Sequence, residues 1–308
     1  YADVIEQIAY NALLASISLD GTQYFYTNAL RQVRDLPYPL RMPGDTGLHP
    51  VPEPPASDER LRQTYLSCFC CPPNIARTLA RFHERAASVS QDGLYIHQYG
   101  GSDLRFTLPD GRSLALRESS DYPWDGRIAF TVEQAEGGGI PLHLRVPGWS
   151  TDAALTVNDE PLAVSAAGTY AVIDRQWAVG DVVVLDLPMP VRKLRAHRLA
   201  EEATNQVAVQ RGPVVYAVES ADLPDGVRLE QVALRRAAPL IPVTAELAGH
   251  RIVALEADIA VLPGASSGAL YEDVADGAVG AASARLIPYF AWGNRGPSEM
   301  SVWMPVVW

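Results

Sequence analysis

A mixed, mostly β fold is predicted, with helices confined to about the first 90 residues and antiparallel β-sandwiches after them. Three observations carry this expectation. Apolar residues recur at helical spacing over 1–19 and again after residue 74. Seven prolines crowd between Pro37 and Pro55. From about residue 91 the chain breaks into short alternating or β-branched runs, separated by pairs such as Asp110-Gly111, Asn158-Asp159 and Gly180-Asp181.

Taken in order, residues 1–19 read as one amphipathic helix. Val4, Ile5, Ile8, Ala12, Leu13 and Ile17 hold a period near 3.6, and Asp20-Gly21 ends it. Gln23–Asn28 is short, aromatic and β-prone, so it is expected to be extended. The stretch 29–66 is expected to be an irregular loop bordering a site, because proline at that density opposes helix and central strand alike. Asp58, Glu59, Arg60 and Arg62 within it read as a solvated face.

Pro72 and Pro73 suit the opening of a helix, and Ile75, Leu79, Phe82 and Ala86 continue it over 74–87. Eleven strand candidates follow between Leu94 and Val218, in the pattern of a first sandwich. Leu229–Leu234, Arg251–Ala257, Arg285–Ala291 and Met300–Met304 suggest a second, smaller one. The expected divisions are 1–90, 91–222 and 223–308.

All three cysteines lie in Ser67-Cys68-Phe69-Cys70-Cys71-Pro72-Pro73-Asn74. Three clustered thiols make no disulfide framework, and adjacent Cys70 and Cys71 are poorly placed to bridge each other. Buried cysteine as a small hydrophobe is the plain alternative. Against it, the thiols sit just ahead of a helix N-terminus, whose partial positive charge favours the thiolate, the nucleophilic and metal-binding form. A metal or nucleophile site is therefore expected here.

Other clusters are weaker. Ser119–Gly126 and Pro288–Gly296 join aromatics to tight turns; turn packing explains the first as well as sugar contact does, and core packing suits the second. His49, His83, His97, His143, His197 and His250 show no metal-ligand spacing among themselves, and His83 reads as solvated.

With 48% hydrophobic and 20% charged residues the chain reads as globular, and its net charge of −11 argues against nucleic acid and anionic membrane surfaces. No apolar run of about 20 residues exists to span a bilayer as a helix. Tyr1 falls within a helix already under way, so the chain is expected to be the later part of a longer protein. Location is left open, with the cytoplasm favoured because no basic-then-apolar leader is visible.

Cys68–Arg77 resembles the Cys-x-Cys-Cys-Pro-Pro-Asn segment of glycoside hydrolase family 127, the bacterial β-L-arabinofuranosidases. Leu19–Gly21 with Tyr24–Asn28, Ser120–Gly126, Gln210–Tyr216 and Ile287–Gly296 are similar to that family in the same order. The resemblance implies that 1–90 close an (α/α)6 barrel and that two β-sandwiches follow. It implies Cys70 as the nucleophile of a retaining reaction, Cys71 beside it as a zinc ligand, and Tyr26 near the sugar. Zinc is the implied cofactor, held by Cys70 and Cys71. The implied partner is an arabinofuranosyl oligosaccharide or glycoconjugate, and a homodimer is left open.

The family's remaining zinc ligands, a Glu-x-Cys motif, and its acid/base glutamate are expected upstream, since the chain contains no Glu-x-Cys. The 308 residues alone are accordingly expected to be inactive. The competing reading is a non-catalytic β-sandwich module that buttresses a barrel or binds sugar. A thiol redox or zinc-storage site is the weaker idea, as the cysteine cluster does not resemble a Cys-x-x-Cys oxidoreductase motif.

Overall fold

The computed structural model describes residues 1–33, 62–64, 70–264, 271 and 278–308. Cys68, Asp58, Glu59, Arg60 and most of the expected loop at 29–66 lie outside the described residues. The fold is mixed and mostly β, in two compact units. One holds 1–9, 76–190 and 211–213; the other holds 10–75, 191–210 and 214–308. None of the described helices is long and apolar enough to cross a membrane.

The first helix departs from the expected single stripe. It is α-helical over Ala2–Gln7 and π-helical over Ile8–Leu13. Val4 and Ile8 are exposed, whereas Glu6 is fully buried. The reason is long-range: Arg145, only 2% exposed, forms ion pairs with Glu6 and, at 2.5 Å, with Asp3. Trp149 Nε1 donates to Glu6 Oε2 at 3.0 Å, the Tyr122 hydroxyl donates to Glu6 Oε1, and Gly148 N donates to Asp3 Oδ2 at 3.0 Å. Burial works against the Arg145 charge, and the Glu6 carboxylate outweighs it, so the guanidinium is held above its ordinary pKa. A buried ion survives only when paired and hydrogen-bonded in this way.

Two sheets make up most of the first unit. The four-stranded one runs Thr169–Ile173, Leu142–Val146, Gly93–Ile96 and Ala87–Ser90, with the central pair parallel. The six-stranded one is antiparallel: Asp103–Thr107, Ser113–Ser120, Arg127–Glu136, Val182–Asp186, Ala154–Val157 and Glu160–Leu162. Alternation in the sequence becomes alternation in burial, as at Ile128, Phe130 and Val132 or Leu142, Leu144 and Val146. Asn158 and Asp159 both take positive φ and turn Ala154–Val157 back onto Glu160–Leu162. Ala87, the last residue of the expected helix, instead opens the strand Ala87–Ser90, which pairs with Gly93–Ile96.

Within Ser119–Gly126 the strand Ser113–Ser120 ends and a tight turn follows. Asp125 Oδ1 accepts from Arg127 N at 2.7 Å, and a Cβ on Gly126 would fall 1.9 Å from the Leu187 carbonyl oxygen.

His97 lies beside this network, its Nε2 2.7 Å from Ser88 Oγ and its Nδ1 2.6 Å from the Tyr170 hydroxyl. Burial, and then the Arg145 charge, hold its pKa below the ordinary 6.5. The unfolded chain therefore binds a proton near 6.5 that the folded chain refuses. Stability should fall as pH drops through 6.5 toward the depressed value. Urea midpoints at about pH 7.5 and about pH 5.5 should differ, and His97→Gln should narrow the gap. An unchanged gap would assign the acid sensitivity to other groups.

The second unit is built on a ten-stranded sheet. Its main path is Arg31–Gln32, Met300–Ser301, Val214–Glu219, Gly280–Pro288, His250–Val261, Val232–Arg235, Met304–Val307, Gln206–Arg211 and Val191–Leu194. Leu240–Leu247 pairs with His250–Val261, and a further pairing of Val214–Glu219 with Gln206–Arg211 closes a ring of six strands. The strands at 191–194, 206–211 and 214–219, expected in the first sandwich, thus pair here. Alternation marks a strand but does not choose its sheet.

Candidate active site

The helix after the cysteines begins earlier than the prolines suggest, spanning Cys71–Ala80. Pro72 and Ile75 are buried and seat its first turn. Cys71 is thus its first residue, half-buried, and Cys70 stands exposed just before it. Neither forms a disulfide, their sulfurs standing 3.4 Å apart, in hydrogen-bond contact and too far for an S–S bond. His83 is exposed beyond the end of that helix, as expected.

A tetrahedral zinc with Zn–S bonds of about 2.3 Å separates two thiolates by roughly 3.8 Å. The 3.4 Å spacing therefore needs only a slight opening to occupy two corners. Among the described residues no group of three or more His, Cys, Asp or Glu is gathered for a metal. The sulfur pair fits zinc in chemistry and spacing, and supplies half of a four-ligand set.

Tyr26 is 39% exposed, on a segment held from several sides. Tyr24 bridges both Ile17 and Gln63. Its N donates to Gln63 O at 2.8 Å, and Gln63 N returns a bond to Tyr24 O at 2.9 Å. Phe25 N donates to Ser16 O, while Asn28 Nδ2 donates to Ala12 O and to Ser16 Oγ, both at 2.8 Å. The structure thus brings Cys70 and Cys71 together. It also runs the Tyr26 segment beside Gln63, seven residues before Cys70.

Arg62 corrects the sequence reading. Far from lying on a solvated face, it is half-buried, with its guanidinium carbon 4.2 Å from the centre of the Phe25 ring. Phe25 stacks on Trp292 at 4.4 Å and 14°. A cavity of about 450 Å³ adjoins this stack, lined in part by Ser18, Asp20, Gln23 and Asn294; neither sulfur nor Tyr26 lines it. Arg62 looked solvated because its charged neighbours in sequence carry no sign of an aromatic partner 230 residues away. Of the Pro288–Gly296 stretch, Tyr289, Phe290 and Trp292 are core, buried around a 3-10 turn at Tyr289–Ala291, whereas Arg295 and Gly296 are exposed.

Three family models match the chain in succession. They are the beta-L-arabinofuranosidase GH127 catalytic domain at 1–84, the GH127 middle domain at 93–189 and the glycoside hydrolase family 127 C-terminal domain at 191–305. A non-reducing end beta-L-arabinofuranosidase of Bifidobacterium longum subsp. longum is 33% identical over 325 residues, covering 98% of this chain and 45% of that protein. A solved structure of a glycoside hydrolase superposes with a TM-score of 0.89 at 42% identity, over all of this chain and 48% of the other. A GH127 beta-L-arabinofuranosidase from Geobacillus stearothermophilus T6 gives 0.84 at 34% identity, over all of this chain and 46% of that one. The chain spans less than half the length of each of these relatives. With successive models covering nearly every residue and the cysteine segment in its place, the chain belongs to glycoside hydrolase family 127.

Proposed function

We propose that a protein containing this chain is a retaining glycoside hydrolase that releases L-arabinofuranose from β-L-arabinofuranosides, with Cys70 as nucleophile. The observation that carries this reading is the exposed Cys70 thiol at a helix start, 3.4 Å from a second thiol, within a family of glycoside hydrolases. In this proposal the helical part of residues 1–86 closes an (α/α)6 barrel, and the four- and six-stranded sheets on the one hand and the ten-stranded sheet on the other form two β-sandwich domains. Cys70 and Cys71 would hold zinc, with the other ligands and the acid/base carboxyl outside the chain. Zinc, when bound, keeps both sulfurs deprotonated near neutral pH.

The Cys70 sulfur attacks the anomeric carbon; the carbon–sulfur bond forms as the glycosidic carbon–oxygen bond breaks, and the acid protonates the departing oxygen. Water then attacks the same carbon, its proton passes to the conjugate base, and Cys70 leaves as thiolate. Two inversions leave the configuration unchanged. Tyr26 borders the sugar, and the natural substrate is an arabinofuranosyl oligosaccharide or glycoconjugate. In this proposal the described residues supply two metal donors, the acid/base group lies outside the chain, and the 308 residues are inactive by themselves.

The test is to follow an aryl β-L-arabinofuranoside by proton NMR with full-length protein of measured metal content. The expected result is β-arabinofuranose as the first product, with about one zinc per chain. An α product, or no cleavage, overturns the proposal.

A further inference from the structure

We infer that Arg62 is a positioning residue for the reaction proposed above, holding residues 62 and 63, which lead toward Cys70 in sequence, against the Tyr26 segment. The Arg62 guanidinium lies over the Phe25 ring, and Phe25 in turn stacks on Trp292. The same guanidinium is tied edge-on. Its Nε and Nη2 donate to Trp292 O at 3.3 and 3.0 Å, and Nη2 also reaches Phe290 O at 3.4 Å. A planar fork can stack and donate at once; a lysine ammonium cannot.

What the clamp grips matters more than the clamp. The residue after Arg62 is Gln63, doubly bonded to Tyr24, so Arg62 and Phe25 bracket the point where the two site segments meet. On the far side the turn is itself immobilised. A Cβ on Gly293 would come within 2.9 Å of Phe25 Cζ, so the backbone there sits directly against the ring. Gly293 N donates to Glu219 Oε1 at 2.9 Å, and Ser298 and Arg295 bond the same fully buried carboxylate. Asn294 Oδ1 accepts from Leu19 N at 2.9 Å, adding the entry to the Tyr26 segment.

Burial pushes Arg62 down to about 10, with Glu219 opposing, so it stays charged across the neutral range. A nucleophile moved by about 1 Å can lose about a hundredfold in rate, and a brace on its approach segment acts at that scale.

The inference rests on the proposed arabinofuranosidase reading, and the experiment separates the two. Full-length wild type, Arg62→Lys, Trp292→Phe and the exposed-site control Arg228→Lys are compared for kcat, KM, melting temperature and iodoacetamide labelling of Cys70. In Arg62→Lys, kcat should fall about tenfold or more with KM within about threefold, and Cys70 labelling should change by at least about threefold. Trp292→Phe should shift both in the same direction by less, and gives the result if Arg62→Lys does not fold. Arg228→Lys should match wild type throughout.

Wild-type protein that leaves the arabinofuranoside uncut would overturn the catalytic reading, and the labelling ratio would still decide the clamp. Folded Arg62→Lys with wild-type labelling, or with a lowered melting temperature as its only change, overturns the inference.

Discussion

Cys70→Ser in the full-length protein is expected to lose on the order of a thousandfold or more in kcat, with little change in folding. A serine hydroxyl is almost wholly protonated at neutral pH and is a far weaker nucleophile than a thiolate. Cys70 is exposed ahead of the helix, so removing its sulfur leaves no core cavity and the melting temperature should stay close to wild type. Cys71→Ser separates the two sulfurs' roles. It should lower bound zinc and activity together, whereas the Cys70 variant loses turnover even when refilled with metal. Undiminished turnover of Cys70→Ser on an aryl β-L-arabinofuranoside would remove Cys70 from the chemistry.

Glu6→Ala is expected to cost about 3–5 kcal/mol, the loss typical of stripping the partner from a buried ion. Glu6 is 0% exposed and Arg145 2%, so the guanidinium would keep one ion-pair partner, Asp3, at its outer edge, besides the His97 carbonyl. Two further donors, the Trp149 indole and the Tyr122 hydroxyl, would lose their acceptor at the same time. Urea unfolding checks the magnitude. Hydrogen exchange checks the location, with protection falling first over Ala2–Gln7 and Leu142–Val146. Replacing both ions, as in Glu6→Leu with Arg145→Met, should cost less than Glu6→Ala alone, since no charge is then left buried. A loss below about 1 kcal/mol in Glu6→Ala would mean that water reaches Arg145.

Strand positions and the cysteine site were legible in the sequence because both are local. Leu142–Val146 and Ala154–Val157 lie where alternation puts them, since a half-buried strand writes its two faces into successive residues. The thiol pair was legible because four consecutive positions and the helix after them carry the whole signal. Which strands pair was not. Val214–Glu219 shows the same alternation in either sheet, and its hydrogen bonds to Gly280–Pro288 and Met300–Ser301 depend on residues some 70 to 85 positions away.

The same holds for the charges. Nothing in the sequence singles out Glu6 on a helix or Arg145 on a strand, and only the fold, closing 139 positions, makes them a buried pair. Arg62 stands in a run of charges that looks solvated, and becomes a clamp because Phe25 and Trp292 arrive from distant parts of the chain. Hydrophobic periodicity fixes which face of a segment turns inward; desolvation of a charge is repaid only by a partner that tertiary structure supplies.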